Sequence, residues 1–144
     1  MKWVTREKPK TDRIACPWLI KKWIDPEAEI LYVPREQVLE VAEREGAISF
    51  DAPNAKYTHR DGKCTFEVLI EEYNLTDPAL VKLAEIVHGA DVNDDRTTPQ
   101  SLGLRAIGEG FLHVVKDDHE NLRIQWYIYD ALYAWCQEKL KATG

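Results

Sequence analysis

Three short stretches of the chain combine residue types that could bind an anion or a metal ion. In the first, Cys16 precedes Pro17 near the expected start of a helix, and Arg13 lies three residues earlier. Helix N–H groups and an arginine would stabilise a thiolate, and the same donors could hold an oxyanion. The segment therefore predicts an oxyanion site at Arg13 and Cys16. The alternative is a buried structural cysteine, because free cysteines are among the most buried residues.

The second stretch places His59 at the end of an expected strand, followed by a turn at Asp61 and Gly62 and then a helix. Cys64 and Glu67 are three residues apart, so they share one face of that helix. Imidazole, thiolate and carboxylate are usual metal ligands, and these three side chains could converge on one ion. The alternative is again structural, with Glu67 as a first-turn carboxylate that the helix dipole favours.

The third stretch places Asp118 and His119 among further acids at the start of the last expected helix. Capping explains the acids, but a histidine that carboxylates can orient also suits a metal or an acid–base role. We therefore predict a divalent metal site made of His59, Glu67, Asp118 and His119, with the two histidines within about 8 Å of each other. The element stays open, because these ligands suit zinc, iron, manganese or nickel.

The elements that must position these residues can be read from local patterns. Short β-branched and aromatic segments bounded by turn residues predict strands at residues 3–5, 29–33, 47–51 and 56–59. Periodicity predicts helices at residues 13–24, 35–44, 65–73 and 118–141. Two further helices should begin at Asp77 and Thr98, each of which precedes a proline. The first of these should end at Gly89, with His88 as a structural cation beside the helix end.

These elements predict an α/β (α+β) fold, in which a small sheet of about four short strands packs with five to six helices. The last helix should be long and buried, because residues 124–135 are aromatic or aliphatic nearly all round. A chain of 144 residues fits one domain, and we expect residues 1–144 to form it. The 44% hydrophobic content is enough for a core.

Charge and cysteine content limit the partners and the cellular compartment that we expect for this chain. A formal net charge of -6 and a pI of about 5.2 argue against nucleic acid as a partner of this chain alone. The charged N-terminus does not resemble a signal peptide, and no apolar run is long enough to cross a membrane. Three cysteines without paired short spacing indicate reduced thiols, so we expect a cytoplasmic protein.

Specific strings along the chain also carry a family resemblance. They are DRIACPWLI from residue 12, His59 with CTFE from residue 64, DPAL from 77, GAD from 89, DDHE from 117, and YDALYAWC from 129. Together they resemble the C-terminal domain of the ChrB-type chromate resistance proteins, over residues 3–137. The resemblance implies a role in bacterial chromate resistance, through regulation or handling of chromate. It transfers no catalytic residues.

We therefore expect a domain that binds a divalent metal ion, chromate or a similar oxyanion and responds by changing its conformation or partner. An enzyme is the first alternative, acting by metal-dependent hydrolysis or by thiol-dependent reduction of chromate. A protein-interaction module is the second, because the aromatic content would allow pairing with another protein or with a second copy. The sequence does not decide whether the protein turns over a substrate.

Overall fold

A computed structural model describes residues 1–92 and 94–143 of the chain. Asn93 and Gly144, which the single-domain prediction includes, lie outside the described residues. Within those ranges the elements are β1 (Lys2–Arg6), α1 (Asp12–Leu19), a π-helical turn (Ile20–Ile24), β2 (Glu29–Val33), a 3₁₀ turn (Arg35–Gln37), α2 (Val38–Glu45), β3 (Ile48–Ser49), α3 (Thr65–Glu72), α4 (Pro78–Asp91), α5 (Pro99–Phe111) and α6 (Asp118–Thr143). The predicted α+β class is confirmed.

The sheet is built around β1, whose central residues Trp3, Val4 and Thr5 are buried. The strand order is β2-β1-β3, and both outer strands run parallel to β1. Parallel neighbours need a crossover connection, which α1 supplies between β1 and β2 and α2 supplies between β2 and β3. The carboxyl ends of β1 and β3 therefore lie at the same edge of the sheet.

The sheet has three strands in the described residues, where about four were expected. Residues 56–59 contribute only an isolated bridge, between Tyr57 and Phe50. Asp51 and Asn54 have positive φ angles of 47° and 62°, so the chain bends twice between β3 and this segment. These bends limit the pairing to one bridge and direct the following residues towards the edge of the sheet.

The two proline-marked helix starts are confirmed. The Asp77 side chain accepts the N–H of Ala79 at 2.9 Å, and α4 begins at Pro78. Thr98 is the N-cap of α5, where its hydroxyl accepts the N–H of Ser101 at 3.2 Å. Both signals act within one helical turn, and tertiary packing did not override them.

The predicted end of α4 at Gly89 was wrong, because the helix continues to Asp91. Gly89 is a packing residue instead of a cap. A Cβ added there would lie 2.7 Å from Cα of Thr97 and closer still to Oγ of Ser101. The missing side chain therefore lets the start of α5 approach α4, and the extension to Asp91 places a carboxylate at the helix end.

The long helix α6 covers α1 and α4 with one buried face, on which Asn121, Gln125, Tyr129 and Cys136 are fully buried. The opposite face is open, and Tyr127 is 73% exposed. Hydrogen bonds also tie α6 to the residues before α1. The Tyr129 hydroxyl donates to the carbonyl of Thr11 at 3.2 Å, and the Asn121 amide donates to that of Pro9 at 3.1 Å. These two hydrogen bonds fix the position at which α1 begins.

Among the described residues, none of the helices has the length and apolar character needed to cross a lipid bilayer.

Candidate functional site

A polar cavity of about 310 Å³ lies at the carboxyl edge of the sheet. Arg6 ends β1, and Asp51 follows β3 by two residues. Loops that leave the carboxyl ends of parallel strands commonly form ligand pockets, because they diverge at that edge. Here α1 adds Asp12, the last residue of α4 adds Asp91, and the segment before α3 adds His59. Residues distant in sequence therefore meet in one cavity.

The imidazole of His59 stands at the centre of a carboxylate cluster. Its Nε2 lies 3.0 Å from Oδ2 of Asp91, 3.3 Å from Oδ1 of Asp51 and 3.4 Å from Oδ2 of Asp12. A single N–H cannot point at three acceptors. Ligands held at about 2.1 Å from one metal ion stand about 3.0 Å apart in octahedral geometry and about 3.4 Å apart in tetrahedral geometry. The distances from Nε2 therefore match the spacing of ligands around one divalent ion.

Asp12 is fixed by contacts with the start of α3. Its Oδ2 accepts the N–H of Thr65 at 2.9 Å, and its Oδ1 accepts the N–H of Phe66 at 3.1 Å. The thiol of Cys16 also donates to Oδ1, at 3.3 Å. A carboxylate offers about four acceptor positions, so Oδ2 still has one directed at His59. Asp12 therefore links α1 to α3 while facing the cavity.

The cluster shifts the protonation equilibria of its members. Burial and the nearby Asp51 carboxylate raise the pKa of Asp12 to about 7. Burial also opposes ionisation of Asp51, but hydrogen bonds from His59 and Thr65 hold its pKa below the usual value. Hydrogen bonds to Asp12, Asp51 and Asp91 raise the pKa of His59 to about 12. The three shifts are linked, since a protonated His59 favours the charged form of Asp51 while burial favours the neutral form of Asp12.

Basic side chains also line the cavity. The guanidinium of Arg13 donates to the carbonyls of Arg6 and Glu7 at 2.9 and 2.6 Å, and its Nε lies 3.4 Å from Asp51. Among the described residues, four basic side chains line the cavity, and they are Arg6, Lys10, Arg13 and Arg105. Four acidic ones face them, and they are Asp12, Asp51, Asp91 and Glu109. Both signs of charge therefore line the cavity, and Arg6 and Arg13 both lie within 4 Å of Asp51.

Of the two residues expected to bind an oxyanion, the structure places only Arg13 in the lining of this cavity, among the described residues. Cys16 is fully buried behind Asp12, to which its thiol donates. Burial and the Asp12 carboxylate raise the pKa of Cys16 well above its usual value. This geometry agrees with the alternative of a buried structural cysteine, because a protonated and enclosed thiol cannot contact an incoming anion.

The four residues expected to share one metal site are divided among three places. His59 lies in the cavity, whereas Glu67 joins a second cluster with Cys64 and His88. His119 packs edge-on against Tyr32, with ring centroids 5.5 Å apart, and lines a different surface groove.

Asp118, the fourth expected ligand, accepts the backbone N–H of Lys8 at 3.1 Å. That contact is typical of a carboxylate at a helix start. Within the described residues, neither Asp118 nor His119 joins a group of metal-ligand atoms.

Sequence reasoning did not select Asp12, Asp51 or Asp91 as cavity residues. For Asp91 the predicted helix end at Gly89 removed any signal, because it placed this carboxylate outside the helix. For Asp51 no local pattern was available, since its role depends on the bend after β3. The buried position of His88 between Glu67 and Asp94 also lacked a sequence signal.

The fold and the cavity define a small α+β domain with a mixed-charge pocket at the carboxyl edge of a parallel sheet. The profile of a family described as ChrB, C-terminal domain, matches residues 3–136. The chain belongs to this family, which confirms the resemblance found in its sequence strings.

One curated relative is the Protein ChrB of Cupriavidus metallidurans, which is 33% identical over 132 residues. The aligned part covers 91% of this chain and 39% of that protein. The chain therefore spans about two fifths of the length of the curated relative it matches. No solved structure matches the chain.

Proposed function

We propose that this domain binds a divalent metal ion together with chromate or a similar oxyanion, and that it serves as a ligand-binding part of chromate resistance. The observation that carries the proposal is the set of three carboxylate oxygens 3.0, 3.3 and 3.4 Å from Nε2 of His59. Membership in the ChrB C-terminal family supports the connection with chromate resistance.

The metal ligands are Nε2 of His59 and the carboxylates of Asp12 and Asp91, whose ligand atoms lie within 4.8 Å of one another. Of the ligands expected from the sequence, this set retains His59. Asp51 completes the negative surroundings and is held by the Thr65 hydroxyl at 2.8 Å. Binding displaces the proton from Nε2, because a metal ligand must present a lone pair.

The oxyanion lies close to two basic side chains of the lining, Arg105 and Lys10. The basic side chains of the lining support this pairing, because they can offset the single negative charge that a divalent cation, a doubly charged anion and the loss of the His59 proton leave together. Arg105 is available for such a ligand, since it is 46% exposed and its partner Glu109 lies 3.8 Å away. The bound ion would also join α1, α4 and the segment before α3.

The metal half of the proposal is tested by titrating Mn²⁺, a hard ion that carboxylate ligands suit, into metal-free protein while recording heat and melting temperature. Wild type should melt at a higher temperature with metal, because a ligand at one hundred times its dissociation constant stabilises by about 2.7 kcal/mol. His59→Ala should lose this metal-dependent rise. His119→Ala should retain it, as should the exposed control His113→Ala. Loss in His119→Ala with retention in His59→Ala would overturn the proposed ligand set.

The anion half is tested by titrating chromate into metal-loaded protein. Arg105→Ala should weaken chromate binding about tenfold, since a charge-assisted hydrogen bond contributes about 1.5 kcal/mol or more. Metal affinity should stay the same. Arg123→Ala is the matched control, because Arg123 lines the groove beside His119 instead. Chromate binding that responds equally to both substitutions would contradict an anion site in the cavity.

A further inference from the structure

A second group of metal-ligand atoms lies beside the first turn of α3. The ligand atoms of Cys64, Glu67 and His88 are all within 4.8 Å of one another. Cys64 and His88 are fully buried, and the Glu67 side chain is 12% exposed. Within the described residues, none of the three lines the polar cavity around His59. Any site here is therefore separate from the one proposed above.

The histidine of this group is oriented as metal-binding histidines are. Its Nε2 lies 2.7 Å from Oδ2 of Asp94, and its Nδ1 lies 2.5 Å from Oε1 of Glu67. In the metal-free form both ring nitrogens can carry a proton and donate to these carboxylates, and loss of the Nδ1 proton would turn a lone pair towards Glu67. Metal-bound histidines usually donate their other N–H to a carboxylate, which fixes the ring. Asp94 is in the position of that carboxylate.

Cys64 holds an unusual place for a cysteine, because it is the N-cap residue of α3. Ser, Thr, Asp and Asn are the usual residues there. The Sγ of Cys64 accepts the N–H of Glu67, and the Cys64 N–H donates to Oε1 of Glu67 at 3.0 Å. Burial and the nearby Asp12 carboxylate raise the pKa of the Cys64 thiol, so it is protonated in the metal-free form and would bind an ion by releasing that proton. The thiolate would face the same point as the other two ligands.

We propose that Cys64, Glu67 and His88 form a second metal site, selective for zinc-like ions. Sγ of Cys64, Nδ1 of His88 and one carboxylate oxygen of Glu67 are the ligands, and Asp94 orients the imidazole. Thiolate and imidazole together favour borderline-soft ions over magnesium or calcium. The three ligands come from the N-cap of α3, its first turn and α4, so the ion would join two helices.

Binding of a divalent ion at this site is balanced in charge and in protons. One divalent ion enters, the thiol of Cys64 loses its proton, and His88 loses the Nδ1 proton that it holds between Glu67 and Asp94 in the metal-free form. Two protons leave for each ion, so the net charge is unchanged. Glu67 can keep its contact with Arg96, which involves Oε2 at 2.5 Å, while Oε1 binds the ion.

One distance must change when the ion binds. Nδ1 and Oε1 are 2.5 Å apart in the metal-free arrangement. Two ligands of one zinc-like ion stand about 3.0 to 3.4 Å apart, so the carboxylate must move back by about half an ångström or more. Glu67 can make this movement because its side chain reaches the surface beside Arg96, which is 46% exposed.

Adding Co²⁺ alone to the metal-free full chain tests the proposal. A cobalt–thiolate bond gives an intense near-ultraviolet charge-transfer absorption, which oxygen and nitrogen ligands do not give. We expect this absorption in wild type at one equivalent per chain and its loss in Cys64→Ser. Cys136→Ser is the matched control with a buried cysteine elsewhere, and it should keep the absorption. Absence of the absorption in wild type, or its persistence in Cys64→Ser, would overturn the proposal.

A second pair of variants keeps the test decisive if Cys64→Ser does not fold. Asp94→Ala removes only the orienting carboxylate and should weaken Co²⁺ binding at the thiolate site about 10- to 100-fold. Asp95→Ala is its neighbouring control and should leave the affinity unchanged. Equal affinities in the two variants would contradict the orienting role and with it the site.

The two metal proposals fail separately. His59→Ala should keep the thiolate absorption and lose the metal bound in the polar cavity. If wild type shows the absorption but binds no other ion, the second site stands and the proposed function fails. If wild type binds metal without the absorption, the second site fails and the proposed function stands.

Discussion

The two histidine clusters both contact the first turn of α3, yet they differ in exposure and in the pairing of the ring. The side chain of His59 is 45% exposed, and one of its nitrogens faces three carboxylates. His88 is fully buried, and each of its nitrogens faces one carboxylate. The first cluster therefore sets three carboxylates against one ring nitrogen, whereas the second sets one carboxylate against each ring nitrogen.

This difference indicates two kinds of ligand exchange. A ligand can reach His59 from solvent through the polar cavity without a change in the backbone. To reach His88, it must pass Asp94 and Arg96, which hold the loop after α4 against Glu67. Exchange at the second cluster therefore requires local opening of that loop. An open cluster suits a ligand that exchanges with solvent, and a closed cluster suits a ligand that stays bound.

The largest effect on stability should come from Asp12. It belongs to the open cluster, but it is buried and held by several hydrogen bonds. Asp12→Ala should destabilise the metal-free protein by about 3 to 5 kcal/mol, since two N–H groups of α3 and the Cys16 thiol lose their acceptor. Chemical denaturation measures the change. Asp118→Ala is the control, because its carboxylate serves the exposed N–H of Lys8 and should cost about 0.5 to 1 kcal/mol. Similar costs in both variants would show that Asp12 has no linking role.

A direct comparison of the two imidazoles should give the next largest effect. In the presence of a chelator, His88→Gln should lower the free energy of unfolding by about 2 to 3 kcal/mol, because an amide cannot replace both N–H donors of this fully buried ring. His59→Gln should cost less than about 1 kcal/mol, because water can reach the carboxylates that it leaves. Denaturation curves of the two variants at neutral pH provide the measurement. Equal losses would remove the distinction between an open and a closed cluster.

The sequence predicted those features that depend on a few neighbouring residues. Asp77 and Thr98 begin helices because a side-chain oxygen and the following proline act within one turn. The β1 and β2 positions also followed from short apolar segments. His59 was chosen as a ligand because it lies at the end of an extended segment next to a turn, and the structure places it among carboxylates.

The features that depend on tertiary packing could not be read in the same way. His59 and Glu67 are close in sequence, so they were expected to share a site, but they join different clusters. Asp91 reaches the cavity because α4 continues past Gly89, which packs against Thr97 and Ser101 instead of ending the helix. Gly89 alone looks like a helix end, and only the packing of Ser101 against it shows its other role.

The last prediction concerns pH and separates the two acids that face His59. The pKa of Asp12 is raised from 3.8 to about 7 by burial and by Asp51, so the folded state keeps a proton that the unfolded state releases. The stability from Asp12 is therefore complete below pH 3.8 and is lost as the pH rises through about 7. Between these limits the free energy of unfolding should fall by about 1.4 kcal/mol per pH unit from this group. Subtracting the values of Asp12→Asn from those of wild type between about pH 5 and 6.5, with a chelator, isolates the slope, because the titration of His59 in the unfolded state is common to both proteins and cancels.

The matched variant Asp51→Asn should give the opposite sign. Its pKa is lowered by His59 and Thr65 in spite of burial, so its stability is present above pH 3.8 and is lost as the pH falls below that value. Asp51 should therefore contribute no slope between about pH 5 and 6.5, where Asp12 contributes its full slope. If both substitutions flatten the same pH range, the two carboxylates share one proton instead of dividing into a neutral and a charged partner.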